Sequence, residues 1–325
     1  MRRREFIGLL GGAATSPLAW PLAADAQSER VRRIGLMANL PLQPIERFRK
    51  KLNQIGYVEG KNLVIEYRFA EGKDERYTLF ASELVAIPVD LIVVWGTPAA
   101  FAAKRATSKI PIVLGGVGDV INTGLVSDLA RPDANITGFV ALNVELEEKR
   151  LEFLKEVMPG LSRVAVLGNR ANPLNKINAE TVRRVAAKLS VSVDVFEIQN
   201  SQEVEGALVA IVNAHPDAVI IASDTLLLSE RKRIVDSMEN NGIPAIYPFR
   251  EYAEAGGFIV YGANISILFE RSADYVHRIL NGESPRNLPV QQATAFEIII
   301  NLKAGAKLGL TLSPAVLTRA DEVIE

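Results

Sequence analysis

The sequence predicts an α/β protein of two Rossmann-like lobes, each built on a parallel sheet and joined by three hinge crossovers. Residues 92–119 form a βαβ unit. Ile92, Val93, Val94 and Trp95 break at Gly96-Thr97-Pro98, a helix follows, and Ile112, Val113 and Leu114 break at Gly115, Gly116 and Gly118. Strands and helices then alternate through two successive blocks of similar size, with no Pro-, Ser- or Gly-rich tether between them. A leftover βαβ piece follows the second block, which two complete domains in series would not need. A chain of 325 residues, 48% of them apolar, also exceeds the size at which a single core splits.

In chain order, residues 1–26 read as an export signal. Arg2, Arg3 and Arg4 precede a short apolar, Gly-containing run, and Ala24-Asp25-Ala26 supplies the small residues at a cleavage site placed after Ala26. Two arginines followed one residue later by Phe6-Ile7 resemble the twin-arginine signal. The apolar run, broken by Pro17 and Pro21, is too short for the roughly 20 residues of a membrane span. A first strand over 34–38 ends at Asn39. Ile45, Phe48, Leu52 and Ile55 then recur at helical spacing. Residues 63–69 alternate apolar and polar, the pattern of a strand near a sheet edge. A helix over 75–86 leads to the 92–95 strand, and residues 136–140 make a fifth strand.

The second block opens with a helix over 146–158, acidic in its first turn, which suits the helix dipole. Strands at 164–167, 191–198, 218–222 and 245–247 alternate with helices over 176–189, 203–214 and 228–241. The leftover piece comprises a strand at 258–261, a helix over 268–280, a strand at 296–300 and a short terminal helical region. If the 258–261 strand returns the chain to the first lobe, and 294–301 carries it back, the leftover is explained. Crossovers then fall near Leu142, Tyr261 and Leu288. The first lobe is expected to comprise 27–141 with 262–289, and the second 142–261 with 290–325. Three hinge strands mark the type I periplasmic binding protein, whose lobes close over a ligand.

Composition narrows the function. A formal net charge of −1 gives none of the basic field that nucleic-acid binders carry. The absence of cysteine excludes thiolate nucleophiles, disulfides, Cys metal sites and an N-terminal lipid anchor. His215 sits in a helix-end connection and His277 on a helix among charged neighbours, both away from the strand tips. No zinc, triad or phosphate-loop pattern is present, so no cofactor, metal or catalysis is expected. A two-lobed racemase of the aspartate type would require paired cysteines.

The run from Gly256 to Asn264, with Tyr275-Val276, Arg278-Ile279-Leu280, Gly282, Pro285 and Leu288-Pro289-Val290, resembles the ABC-transporter substrate-binding family that includes the tryptophan/tyrosine-type binding proteins. Further matches are Gly96-Thr97-Pro98-Ala99-Ala100, Gly124-Leu125-Val126, Leu129-Ala130-Arg131-Pro132 and Asn135-Ile136-Thr137-Gly138. Members often have Asp-Pro-Val before Gly-Leu-Val, where this chain has Asp119-Val120-Ile121-Asn122. The resemblance covers essentially the whole chain after the export signal. It implies a periplasmic receptor that delivers a small solute to an ABC permease in the inner membrane, without chemistry, and a monomer is expected because closure must leave the lobes free to move. A ligand sensor for a membrane receptor is the alternative, and a cleft enzyme such as a hydrolase or transferase the lesser one.

Candidate ligand-binding residues cluster at the strand ends. In the first lobe they are Asn39, Trp95, Gly96, Thr97, Gly116 and Asp119. Thr97 before Pro98 reads as a helix cap, and a helix N-terminus facing the crevice also suits a carboxylate. Asp119 reads either as a cap or as a contact for an amine. In the second lobe the candidates are Asn169, Asn172, Asp224, Tyr247 and Tyr261. Asn172 before Pro173 is equally a helix cap, and the two tyrosines equally fill core or stack on an aromatic ligand. The inventory suits an amino acid or aromatic carboxylate, with its anion at Gly96-Thr97 and an amine near Asp224 or Asp119, or an apolar body against Trp95.

Overall fold

The computed structural model describes residues 31–40, 42–132, 135–141 and 143–325. The export signal over 1–26 and the crossover at Leu142 lie outside the described residues. The first block supplies β1 (Arg32–Ala38), α1 (Gln43–Gln54), β2 (Leu63–Phe69), α2 (Arg76–Ala86), β3 (Leu91–Val94), α3 (Thr97–Ala106), β4 (Ile112–Val117) and β5 (Ile136–Val140). The second supplies α4 (Asn143–Val157), β6 (Arg163–Asn169), α5 (Leu174–Lys188), β7 (Ser192–Ile198), α6 (Val204–Asn213), β8 (Ala218–Ile221), α7 (Thr225–Ser229), α8 (Arg231–Asn240), β9 (Ala245–Tyr247), α9 (Arg250–Glu254) and β10 (Ile259–Ala263). The remainder is α10 (Ile265–Leu280), β11 (Gln291–Gln292), β12 (Phe296–Asn301), α11 (Leu302–Lys307), α12 (Pro314–Leu317) and β13 (Glu322–Ile324).

Two sheets result. One runs β11-β5-β4-β3-β1-β2, and the other β13-β12-β10-β9-β8-β6-β7. Every pairing is parallel except β10 with β12. β3, β4 and β5 are buried along their whole length, as unbroken apolar strands covered on both faces must be. The alternating β2 is the sheet edge, as its pattern predicts. No helix among the described residues is long and apolar enough to cross a membrane.

The chain crosses between the sheets where backbone pairing, and not apolarity, decides. β10 stays in the second sheet through Ala263, beyond Tyr261, by pairing with β12. The Asn264 side chain then caps α10 by accepting from Ile267 N at 3.1 Å, and α10 packs on α1 and β4 of the first lobe. Its Phe269 meets Phe48 and Trp95 edge-on, with centroids 6.0 and 5.4 Å apart. The following segment remains with the first sheet beyond Leu288. Val290 N donates to Leu129 O at 2.7 Å, and β11 pairs with β5 through Gln292. Only then does the chain enter β12. The short α7, α9, β11 and β13 do not follow from the sequence pattern. Elements of two to five residues are too brief to show a period, and β13 replaces the end of the expected terminal helical region.

Candidate functional site

The two lobes face each other through the carboxyl ends of their strands, where open α/β sheets bind ligands. They touch at specific points. Ser201 Oγ donates to Gly72 O at 3.2 Å, and Asn169 Nδ2 donates to Asp74 Oδ2 at 3.0 Å. A Cβ on Gly96, whose φ is +92°, would lie 3.0 Å from the Thr225 side chain of the opposite lobe. Glycine therefore serves at position 96 both for its conformation and for the close approach.

Between these contacts lies a cavity of about 20 Å³ walled by both lobes. Of the residues expected from the sequence, Trp95, Gly96, Thr97, Gly116, Asn172 and Asp224 line it. Gly118, Ala141, Ser223, Thr225, Phe249 and Ile265 complete the wall. Thr97 is not the helix cap that its place before Pro98 predicts. Gly96 takes that position, Thr97 is the first helical residue, and its hydroxyl accepts from Gly118 N at 3.4 Å, tying the β3 tip to the β4 tip. The N-terminus of α3 opens on the cavity, as an anion-binding helix end must.

Asp224 is the centre of the second-lobe half. Its Oδ1 accepts from Leu226 N and Leu227 N at 2.8 and 3.1 Å, capping α7. Its Oδ2 accepts from Asn172 Nδ2 at 2.8 Å and Asn169 Nδ2 at 3.1 Å. Asn172 Oδ1 also accepts from Leu174 N at 3.0 Å, so this residue both starts α5 and holds Asp224. Burial pushes the Asp224 carboxyl above its ordinary value, against the pull of these donors. Asn169 reaches on to Asp74, in the loop between β2 and α2. Burial first, and the Asp224 charge second, raise the Asp74 carboxyl to about 7.

The other expected residues do other things. Asn39 accepts from Gly72 N at 2.8 Å, shaping the loop that carries Asp74. Asp119 accepts from Ile121 N and Asn122 N at 3.1 and 2.9 Å, so its carboxylate organises its own turn. Tyr247 is 1% exposed and stacks on Tyr252, with centroids 4.7 Å apart inside the second lobe. Tyr261 sets its ring edge-on against Phe153, and its carbonyl accepts from Arg150 Nε at 2.7 Å. None of these four lines the small cavity.

A second inter-lobe cavity of about 420 Å³ adjoins the first. Asp74, Tyr77, Pro98, Phe101, Ala102 and Arg105 face Ala171, Pro173, Gln199, Asn200 and Gln202 across it. Its size falls in the range of small-molecule sites. Asp74 lines the larger space and Asp224 the smaller, with Asn169 bonded to both. Sequence reading missed Asp74 because it stands in the charged run Lys73-Asp74-Glu75-Arg76, which looks like a solvated loop. A larger hollow of about 500 Å³ lies on the outer face of α1 and β2, with the Arg49 ion pairs to Glu46 and Glu59 in its wall. All of its lining residues belong to the first lobe, so it is solvated surface outside the cleft.

The family model described as ABC transporter substrate binding protein matches residues 43–324. A tyrosine-binding protein of Clostridioides difficile (strain R20291) is 28% identical over 257 residues, spanning 78% of this chain and 73% of that protein. A conserved domain protein from Vibrio cholerae O1 biovar El Tor superposes with a TM-score of 0.84 at 28% identity, over 90% of this chain and all of that one. The ligand-free, open structure of a substrate-binding protein with adhesive properties from Clostridium difficile gives 0.63 at 27% identity, over 90% of this chain and 99% of that one.

Proposed function

The chain belongs to the ABC transporter substrate-binding protein family, and from that premise we propose that it holds a small carboxylate-bearing solute, an amino acid or aromatic acid, between its lobes. One observation carries the reading. The N-terminus of α3 at Gly96-Thr97, the Trp95 and Phe249 rings, and the Asn172–Asp224 pair share one inter-lobe cavity. A carboxylate suits the free N–H groups of the helix end, and the rings suit an apolar body. A cavity of about 20 Å³ is smaller than any amino acid, so uptake requires the lobes to part and close again. The name of the tyrosine-binding relative supports an amino acid.

The solute is released unchanged, to an inner-membrane ABC permease, by a monomer exported through the twin-arginine route to the periplasm. Arg3→Lys with Arg4→Lys is expected to abolish that export, and undiminished export of the double variant would point to the general secretory route.

Calorimetric titration of ligand-free protein with amino acids, aromatic acids and monosaccharides tests the ligand class. Binding of a carboxylate is expected, with ligand-dependent thermal stabilisation and the ligand recovered intact. The double variant Thr97→Val, Asp224→Asn is expected to bind at least about tenfold more weakly, the scale of one or two lost charge-assisted hydrogen bonds. Micromolar binding of a neutral sugar with none of any carboxylate, or turnover of the ligand, would reject the reading.

A further inference from the structure

Asp74 and Asp224 come from opposite lobes, yet both accept a hydrogen bond from the single Nδ2 of Asn169, at 3.0 and 3.1 Å. The two carboxylates are thus less than two hydrogen-bond lengths apart inside the lobe interface. Among the described residues, neither forms an ion pair with Lys, Arg or His. Of the nearby bases, Arg76 Nη1 lies 2.9 Å from Glu71 and Arg231 Nη1 donates to Leu228 O at 3.3 Å, while Arg105, in the wall of the larger cavity with Asp74, forms no ion pair among the described residues.

Unused polar atoms surround the pair. Asp74 Oδ1 is buried without a hydrogen bond. The Thr225 hydroxyl, on a residue 5% exposed, has no hydrogen bond of normal geometry and stands in the wall of the cavity that Asp224 lines. The Tyr77 hydroxyl, on a residue 1% exposed, is in the same condition beside Asp74 in the wall of the larger cavity. The Tyr77 and Thr225 hydroxyls lie toward each other, and Tyr77 feels both carboxylates.

Two carboxyls this close in a dry interface are stable when one keeps its proton or, once both are ionised, when a positive charge joins them. Asp224 is bonded at both oxygens, by Leu226 N and Leu227 N at Oδ1 and by Asn172 and Asn169 at Oδ2, whereas Asp74 has the Asn169 donor at Oδ2 and none at Oδ1. We infer that Asp74 is a specificity residue of the cleft, which with Asp224 forms a two-carboxylate seat, completed only on lobe closure, for the ammonium group of the bound solute. This rests on the carboxylate-binding reading above and narrows it from acids in general to amino acids. The arrangement suits an α-amino acid. Gly96 and Thr97, the proposed carboxylate end, line the same small cavity as Asp224, so the two ends of the ligand need be no farther apart than its own backbone atoms.

Calorimetry with L-tyrosine, 3-(4-hydroxyphenyl)propionate and tyramine, on the unmodified protein and on Asp74→Asn, tests the seat. These probes share a ring and differ only in the ammonium or the carboxylate. At pH 8 the unmodified protein is expected to bind L-tyrosine at least about tenfold more tightly than 3-(4-hydroxyphenyl)propionate, and Asp74→Asn to shrink that ratio about tenfold. Equal affinity for these two in the unmodified protein would overturn the seat and leave the carboxylate reading standing. A ratio unchanged in Asp74→Asn, or a parallel loss for all three probes, would also overturn it, the latter marking a merely structural Asp74. Tyramine binding as tightly as L-tyrosine, with the acid not binding, would uphold the seat and reject the carboxylate end. No binding of any probe to the unmodified protein would reject both.

Discussion

Asp74 holds a carboxyl raised to about 7, chiefly by burial and then by Asp224, with Glu75 adding to the rise and the Asn169 amide opposing it. In an open or unfolded chain the same group returns to water and to its ordinary value of 3.8. The closed fold therefore binds the proton more tightly. Below about pH 4 both states are protonated and the group costs nothing. The cost grows as pH rises from there to about 7, and is constant above. Asp74→Asn removes this dependence. Its stability in urea, measured against the unmodified protein, is expected to match near pH 4 and to exceed it at pH 8, and a constant difference between the two proteins across that range would contradict the assignment. The residue was invisible in the sequence because nothing local distinguishes it from Glu71 or Glu75. Only the second lobe, arriving with Asn169 and Asp224, takes it out of water.

Helix α4 shows the same dependence on partners brought from afar. Glu147 and Arg150, at i and i+3, form an ion pair at 2.7 Å with side chains 0% and 1% exposed. In the sequence Glu147 reads only as part of an acidic first turn that suits the helix dipole. In the fold Arg150 donates from Nε to Tyr261 O at 2.7 Å and from Nη2 to Ser223 Oγ at 3.1 Å, while Glu147 Oε1 accepts from Ser223 N at 3.3 Å. The pair thus fastens α4 to the β8 tip, which lines the cleft, and to β10. Arg150→Met alone strands a buried carboxylate and is expected to cost about 3–5 kcal/mol. Glu147→Leu with Arg150→Met removes both charges and is expected to recover most of that. Urea unfolding of both variants measures the difference, and a double variant no more stable than the single would show that the ion pair is not the source of the loss. Another constraint sits on β10. A Cβ on Gly262 would fall 1.8 Å from Pro248 O, a backbone atom that cannot swing aside. Gly262→Ala is expected to lower the thermal midpoint, whereas Gly282→Ala, with open space around it, carries only the strain of φ +95°.

For the whole molecule, the proposed closure would move the two sheets about the described crossings at Asn264 and between β11 and β12. Such hinges absorb the change in a few residues while the lobe interiors stay packed. The chain contains no native cysteine, so spin labels can be placed at will. Leu79 on α2 and Val209 on α6 are 60% and 51% exposed on opposite lobes. With labels on Leu79→Cys and Val209→Cys, ligand-free protein is expected to show a broad distance distribution that saturating L-tyrosine narrows and shortens. A distribution unchanged by a ligand that calorimetry shows to bind would contradict closure.

The sequence by itself determined the two-lobed α/β architecture, because apolar runs ending in Gly-rich turns report parallel strands and their ligand-facing ends directly. It also placed Trp95, Gly96, Thr97, Gly116, Asn172 and Asp224 at those ends, since strand tips are readable from where hydrophobicity stops. The tertiary structure alone decided which tips share a cavity. Asn39, Asp119 and Tyr247 occupy equivalent strand ends, yet are spent on a loop, a turn and a core stack. It alone decided the roles of Asp74, Thr225 and the Glu147–Arg150 pair, whose environments are made by residues far along the chain. Local periodicity encodes which face of an element is buried; the burial of a charge between two lobes depends on contacts that no local pattern contains.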